Sequence, residues 1–160
     1  MFHSIQYSGT LEENYALVIE QLKALVHGED DLIANLSNAS ALLNLFLDEI
    51  NWVGFYLAKD EQLVLGPFQG LPACIRIPFH KGVCGHAATN RETIVVPDVH
   101  AFKGHIACDS ATNSEIVVPI IHQDQLIGVL DIDSPKLARF TEIDAKYLEA
   151  FVQVIAKTIK

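Results

Sequence analysis

Apolar positions recur at helical spacing at both ends of the chain, and alternate or run together through its middle. Leu11, Tyr15, Val18, Leu22, Leu25 and Val26 mark one face of a helix over residues 10–27. Thr10 ahead of Leu11-Glu12-Glu13 gives it a capping-box-like start, and Gly28 a stop. A second helix is expected from about Asp30 to Leu47, with Leu32, Leu36, Leu42, Leu43 and Phe46 near its apolar face. Asp30 and Asp31 suit its positive N-terminus. The last helix should span residues 142–159 through Tyr147, Leu148, Phe151, Val152, Ile155 and Ile159. Packing accounts for all three, and none carries evident chemistry.

Between them the period changes to that of strands. Residues 51–58 and 63–66 read as a β-hairpin turning through Lys59-Asp60-Glu61-Gln62, followed by a stiff, turn-rich connector from Pro67 to Pro72. Cys74 to Pro78 is a third short strand. In residues 80–89, HKGVCGHAAT, glycines flank Cys84, so a tight turn should feed a short helix whose N-terminal N–H groups favour an anion or a thiolate. Strands are expected again at 93–97, 115–121 and 126–132, the last two joined by His122-Gln123-Asp124-Gln125. This order is α+β. It suits one domain over residues 1–160, with a central, largely antiparallel sheet, terminal helices on one face and a loop-built pocket on the other. No repeat, low-complexity tract or linker interrupts it.

Composition narrows the partners. At 160 residues the chain can bury roughly 70% of its unfolded surface. A net charge of -9 disfavours nucleic acid and an anionic membrane surface. No basic flank with an apolar core opens the sequence, and no apolar run approaches a membrane span, so the expected location is the cytoplasm. Three cysteines spaced C-x9-C-x23-C exclude a C-x-x-C motif. A zinc site of Cys74, Cys84, Cys108 and His105 would lack the close ligand pairs that structural zinc usually has. Thiols cycling through a disulfide fit a reducing compartment better.

The chemistry gathers in two stretches. In Gly104–Pro119, GHIACDSATNSEIVVP, Cys108 sits in a polar segment ahead of a β-branched run, at the end of a long loop from Asp98 to Asn113. Such a thiol is held by a rigid element yet stays open to solvent, as reactive cysteines are, although most cysteines are small buried hydrophobes. Sixteen loop residues are long for a compact domain, and the loop's Phe102 and Ile106 suggest that it folds over something. The second stretch is the strand end Leu130-Asp131-Ile132-Asp133. Asp131 and Asp133, two apart, project to the same face, where they repel unless a cation or proton sits between them. A solvated strand end is the plainer alternative.

Four stretches, NWVGFY, GPFQGLPACIRIPFHKGVCGHA, VPDVHAFKGHIACDSATNSEIVVPI and GVLDIDS, together resemble the free methionine-(R)-sulfoxide reductases, enzymes built on a GAF domain. The likeness runs from about residue 30 to the C-terminus, takes in all three cysteines and shows no departure at the motif positions. It implies free L-methionine-(R)-sulfoxide as substrate, thioredoxin as reductant, and neither cofactor nor metal. By motif position it makes Cys108 the catalytic cysteine and Cys74 the partner of its first disulfide. Cys84 becomes a further redox or substrate-pocket cysteine. Glu115, Asp131 and Asp133 become the acidic cluster handling the substrate's polar end and sulfoxide oxygen, and Trp52 and Tyr56 the aromatic wall around its methyl group. The sequence leaves open whether the domain pairs with itself as a homodimer.

Two rivals make different predictions. A GAF-type binding module with incidental cysteines predicts no turnover, and is expected beside output domains for which 160 residues leave no room. A cysteine-based redox sensor would oxidise but reduce no substrate stoichiometrically.

Overall fold

The computed structural model describes every residue from Met1 to Lys160. Helices α1 (Leu11–Val26) and α2 (Leu32–Phe46) lead into strands β1 (Trp52–Lys59), β2 (Gln62–Gly70) and β3 (Arg76–Pro78). Helix α3 (Gly82–Asn90), strand β4 (Ile94–Val96) and a 3-10 turn (Val99–Ala101) follow, then β5 (Ser114–His122), β6 (Gln125–Ser134) and α4 (Glu142–Ala156). The helix starts are capped as their sequences ask: Glu13 N donates to Thr10 Oγ1 and Ala34 N to Asp31 Oδ1. Leu11, counted on the apolar face of α1, is exposed. Ile159 lies beyond the end of α4.

The six strands form one antiparallel sheet in the order β3-β2-β1-β6-β5-β4. Side chains alternate across it, so each strand divides its residues between two cores. Val53, Phe55, Ile116, Val118, Leu130 and Ile132 face α1, α2 and α4 in a core of 22 buried residues. Buried Tyr15 of α1 donates its hydroxyl to Asp144 of α4 at 2.5 Å, which ties two helices of this layer together. Trp52, Tyr56, Val117 and Val129 face the other way and pack with α3 in a smaller cluster of 12.

Two boundaries differ from expectation. The stretch Pro67–Gly70, read as connector, belongs to β2. Gly54 pairs with Phe68 and Tyr56 with Leu65, so Gly66 and Pro67 fall together opposite Phe55 in a bulge. A bulge tolerates the missing proline N–H that an even ladder would not. Cys74, expected inside a strand, precedes β3 and sits in the bend leading to it.

Candidate active site

The pairing register places the acids. Asp133 of β6 is flanked by Trp52 on β1 and Glu115 on β5, while Asp131 lies between Gly54 and Val117. Because side chains two apart share a face, Glu115, Asp131 and Asp133 converge at one end of the sheet on the side away from α1, α2 and α4. They are not a solvated strand end: Glu115 is 5% exposed and Asp131 6%. One oxygen each of Asp131 and Asp133 is buried without a hydrogen-bond partner. These acids, with Trp52, Tyr56 and all three cysteines except Cys74, line one cavity of about 40 Å³. Such a volume holds a few waters and no amino acid.

Helix α3 brings Cys84 to this cluster. Gly82 adopts φ +62°, and a side chain there would press on Ile106 of the long loop. A Cβ on Gly85 would come 2.7 Å from the Pro78 carbonyl oxygen, so glycine lets α3 approach the sheet closely. Cys84, between them, is buried and free. The expectation that the helix N-terminus favours its thiolate is overturned. Burial first, then the charges of Asp131, Glu115 and Asp133, push the thiol well above its ordinary range. Three nearby carboxyls outweigh one turn of helix dipole.

The long loop folds over the same cavity and is pinned beside Cys108. Asn51 Nδ2 donates to Asp109 Oδ2 at 3.0 Å and to Thr112 Oγ1 at 3.1 Å, and Ala111 N donates to Asp109 Oδ1. Cys108 is thereby presented to Cys74, with which it forms a disulfide across a sequence separation of 34, the Cα atoms 5.7 Å apart. The spacing lies within ordinary disulfide geometry. Two of the four zinc ligands considered from sequence are thus bonded to each other. A different trio, Cys84, Glu115 and Asp131, has its donor atoms within 4.8 Å of one another. That trio could share a cation, and it can equally receive a substrate ammonium group.

Desolvation pushes all three carboxyls upward, but not alike. For Glu115, burial and the neighbouring acids act together, so its value lies well above the carboxylate range. Asp133 is also raised well above it by burial and Asp131, with Glu115's hydrogen bond opposing. Asp131 is raised by burial while hydrogen bonds from Glu115, Cys84 and Asp133 hold it back. The three carboxyls therefore titrate as one coupled group whose protons are held above the ordinary carboxylate range. His105 Nε2 lies 3.7 Å from Glu115 Oε1, and burial keeps its imidazole below the usual value.

The aromatic wall has more structure than the sequence suggested. Trp52 stacks between Tyr56 and Phe68, with centroids at 5.8 and 5.1 Å, and its Nε1 donates to the Leu71 carbonyl. Tyr56 donates its hydroxyl to the Cys74 carbonyl at 2.9 Å, joining the wall to the disulfide. Phe68, Asn51 and Asp109 were not singled out as site residues. Phe68 was hidden by the glycine and proline around it. The Asx-type turn in Cys108-Asp109-Ser110-Ala111 was the one available signal for Asp109.

Residues 37–160 match the GAF domain family model. The chain is 50% identical to the free methionine-R-sulfoxide reductase of Escherichia coli over 92% of its own length and 89% of that protein's. It superposes on the fRMsr of Staphylococcus aureus, solved in complex with substrate, with a TM-score of 0.89 and 53% identity over 99% of this chain and all of that one. The free methionine-R-sulfoxide reductase of Neisseria meningitidis, also solved with its substrate, gives a TM-score of 0.93 at 44% identity, covering 98% and 95% of the two chains. On likeness of this extent over nearly the whole length, the chain belongs to the GAF domain family and, within it, to the free methionine-R-sulfoxide reductases.

Proposed function

We propose that residues 1–160 act as one unit that reduces free L-methionine-(R)-sulfoxide to methionine, using Cys108 as nucleophile and a Cys74–Cys108 disulfide as its oxidised resting state. The observation that carries this reading is convergence: a solvent-open disulfide closes over a cavity holding a third thiol, two buried acids, the half-buried Asp133 and a tryptophan face. The substrates named for its relatives have the features such a cavity would recognise.

In the reduced protein, the Cys108 thiolate attacks the sulfoxide sulfur while Glu115 gives its proton to the oxygen. Two electrons pass to the substrate sulfur, methionine leaves, and the oxygen stays on Cys108 as a sulfenic acid. The Cys74 thiol attacks that sulfur, water departs and the disulfide forms. A dithiol protein, thioredoxin, then exchanges with the disulfide, becoming oxidised itself and returning both cysteines to thiols. This places the reaction in a reducing compartment, the cytoplasm.

The unpartnered oxygens of Asp131 and Asp133 suit the substrate ammonium, which would complete their hydrogen bonds. The Trp52 face suits the S-methyl group, with Tyr56 beside it, through sulfur–aromatic contact worth about 1 kcal/mol. Cys84, held as a neutral thiol against Asp131, supports the substrate's polar end and is not the attacking group. Reduction of the disulfide frees the Cys108 loop, which lines the cavity, to admit substrate.

The test is consumption of free R-methionine sulfoxide with dithiothreitol as reductant. Wild type should turn over, and Cys108→Ser should lose activity about a thousandfold or more. Equal activity in the two would remove Cys108 from this role, and an inactive wild type would return the chain to the binding-module reading.

A further inference from the structure

The oxidised site has an outer side that the chemistry of the cavity does not use. Cys108 is exposed and Cys74 half-buried, so the bond between them is open to solvent. Around it stand large apolar side chains facing water: Leu71 at 64% exposure, Ile75 at 67% and Ile106 at 36%. Ile75 follows Cys74 directly, Ile106 lies two residues before Cys108, and Leu71 shares the cavity mouth with Ile106. Leu71 and Ile75 are far from ordinary burial for their type; Leu45 and Leu137 are similarly exposed elsewhere, but only this group flanks an open disulfide, as a collar.

Charge singles out the same region. Three cations, Arg76, Lys81 and Lys103, lie by the disulfide or its neighbouring groove, and Asp109 beside Cys108 is held by Asn51, in a chain of net charge -9. Arg76, next to Ile75, is exposed, as are Lys81 and Lys103. Lys81 borders both the cavity and a neighbouring groove that contains His86, Phe102 and Lys103. The ion pairs of the chain use Lys23, Lys136, Arg139, Lys160 and His105, leaving the rim cations without carboxylate partners.

We infer that this collar is the docking surface for an acidic dithiol protein, whose exposed thiolate attacks the disulfide while its apolar margin covers Leu71, Ile75 and Ile106. The inference rests on the recycling step proposed above and adds the surface that selects the reductant. A thiolate needs a line of approach to one sulfur, and an apolar collar excludes water around that line. A basic rim steers an acidic partner onto it and makes the encounter dependent on salt. The exchange balances: the partner's first thiolate forms a mixed disulfide and releases one cysteine. Its second thiol then releases the other cysteine and leaves the partner oxidised.

The experiment uses protein oxidised beforehand with diamide, so that no sulfoxide turnover is needed, and two reductants. With reduced thioredoxin, held reduced by thioredoxin reductase and NADPH, Ile75→Glu should lower kcat/KM for thioredoxin about tenfold. Arg76→Glu and Lys103→Glu should lower it several-fold at low salt and progressively less as salt is raised. Dithiothreitol, which needs no docking, should reduce all variants at the wild-type rate. Equal losses with both reductants would show a folding or disulfide defect and overturn the inference, as would unchanged thioredoxin kinetics. Sedimentation of the same variants covers the remaining occupant: a wild-type dimer made monomeric by Ile75→Glu would assign the collar to a second copy of the chain instead. Failure of the sulfoxide assay alone would count against the proposed function and leave this surface standing.

Discussion

The two faces of the sheet are built from alternate residues of the same strands, yet they bury opposite chemistry. Toward α1, α2 and α4, Val53, Phe55, Ile116, Val118, Leu130 and Ile132 meet an apolar layer with one well-partnered polar bond, Tyr15 to Asp144. Toward α3 and the long loop, their neighbours Trp52, Glu115, Asp131 and Asp133 face a cavity in which carboxyl oxygens stay unpartnered. The helix face obeys the rule that buried polar groups are satisfied, and so supplies stability. The cavity face breaks the rule at two acids, Asp131 and Asp133, and destabilised groups of this kind are what a catalytic proton and a bound ammonium require. Period-two alternation lets one strand do both.

Substitutions on the two faces should therefore separate. The largest effect is expected from Phe151→Ala in the helix-side core, a loss of about 3–5 kcal/mol in unfolding free energy with activity per folded molecule retained. Denaturant titration alongside the sulfoxide assay would check both halves. Next comes Asp133→Asn on the cavity side, expected to lower kcat/KM about a hundredfold without lowering Tm. Glu12→Gln, at an exposed acid of α1, should leave the rate unchanged. Unchanged activity for Asp133→Asn would make the strand end an inert polar patch.

A pH effect should follow in size. Glu115, Asp131 and Asp133 all have folded values above their unfolded ones. Their neutral forms thus favour the folded state fully below the ordinary carboxylate range, and that contribution is lost as pH rises through the raised values. Unfolding free energy should fall as pH rises above the ordinary carboxylate range, and Glu115→Gln should flatten the slope. A slope identical to wild type would mean that Glu115 is ionised throughout. The smallest effect is expected from Tyr56→Phe, which removes the bond to the Cys74 carbonyl. It should cost about 1 kcal/mol and slow disulfide closure several-fold relative to methionine formation, visible in rapid-quench samples.

Much of this arrangement was legible in the sequence, for a physical reason. Alternation in Leu130-Asp131-Ile132-Asp133 fixes which side chains share a face, so Asp131 and Asp133 could be placed together before any coordinates, while Glu115 joined them only through the family resemblance. The helices announced themselves through spacing and caps at Thr10 and Asp31. What alternation does not carry is cross-strand register and loop closure. Pro67 read as a breaker because the bulge that accommodates it depends on Phe55 in another strand. The thiol of Cys84 was misjudged because its local helix start was visible, whereas the three acids that dominate it come from β5 and β6. Asn51, which pins the Cys108 turn across 58 residues, had no local signal at all.

The central claim is that Cys108 and Cys74 complete a redox cycle in an acid-lined cavity. It is tested most directly by mixing fully reduced protein with excess free R-methionine sulfoxide and no reductant, then measuring methionine and mapping disulfides by mass spectrometry. One methionine per chain, together with a Cys74–Cys108 bond and a free Cys84, is the predicted result. No methionine, or a dominant Cys84–Cys108 bond, would contradict it.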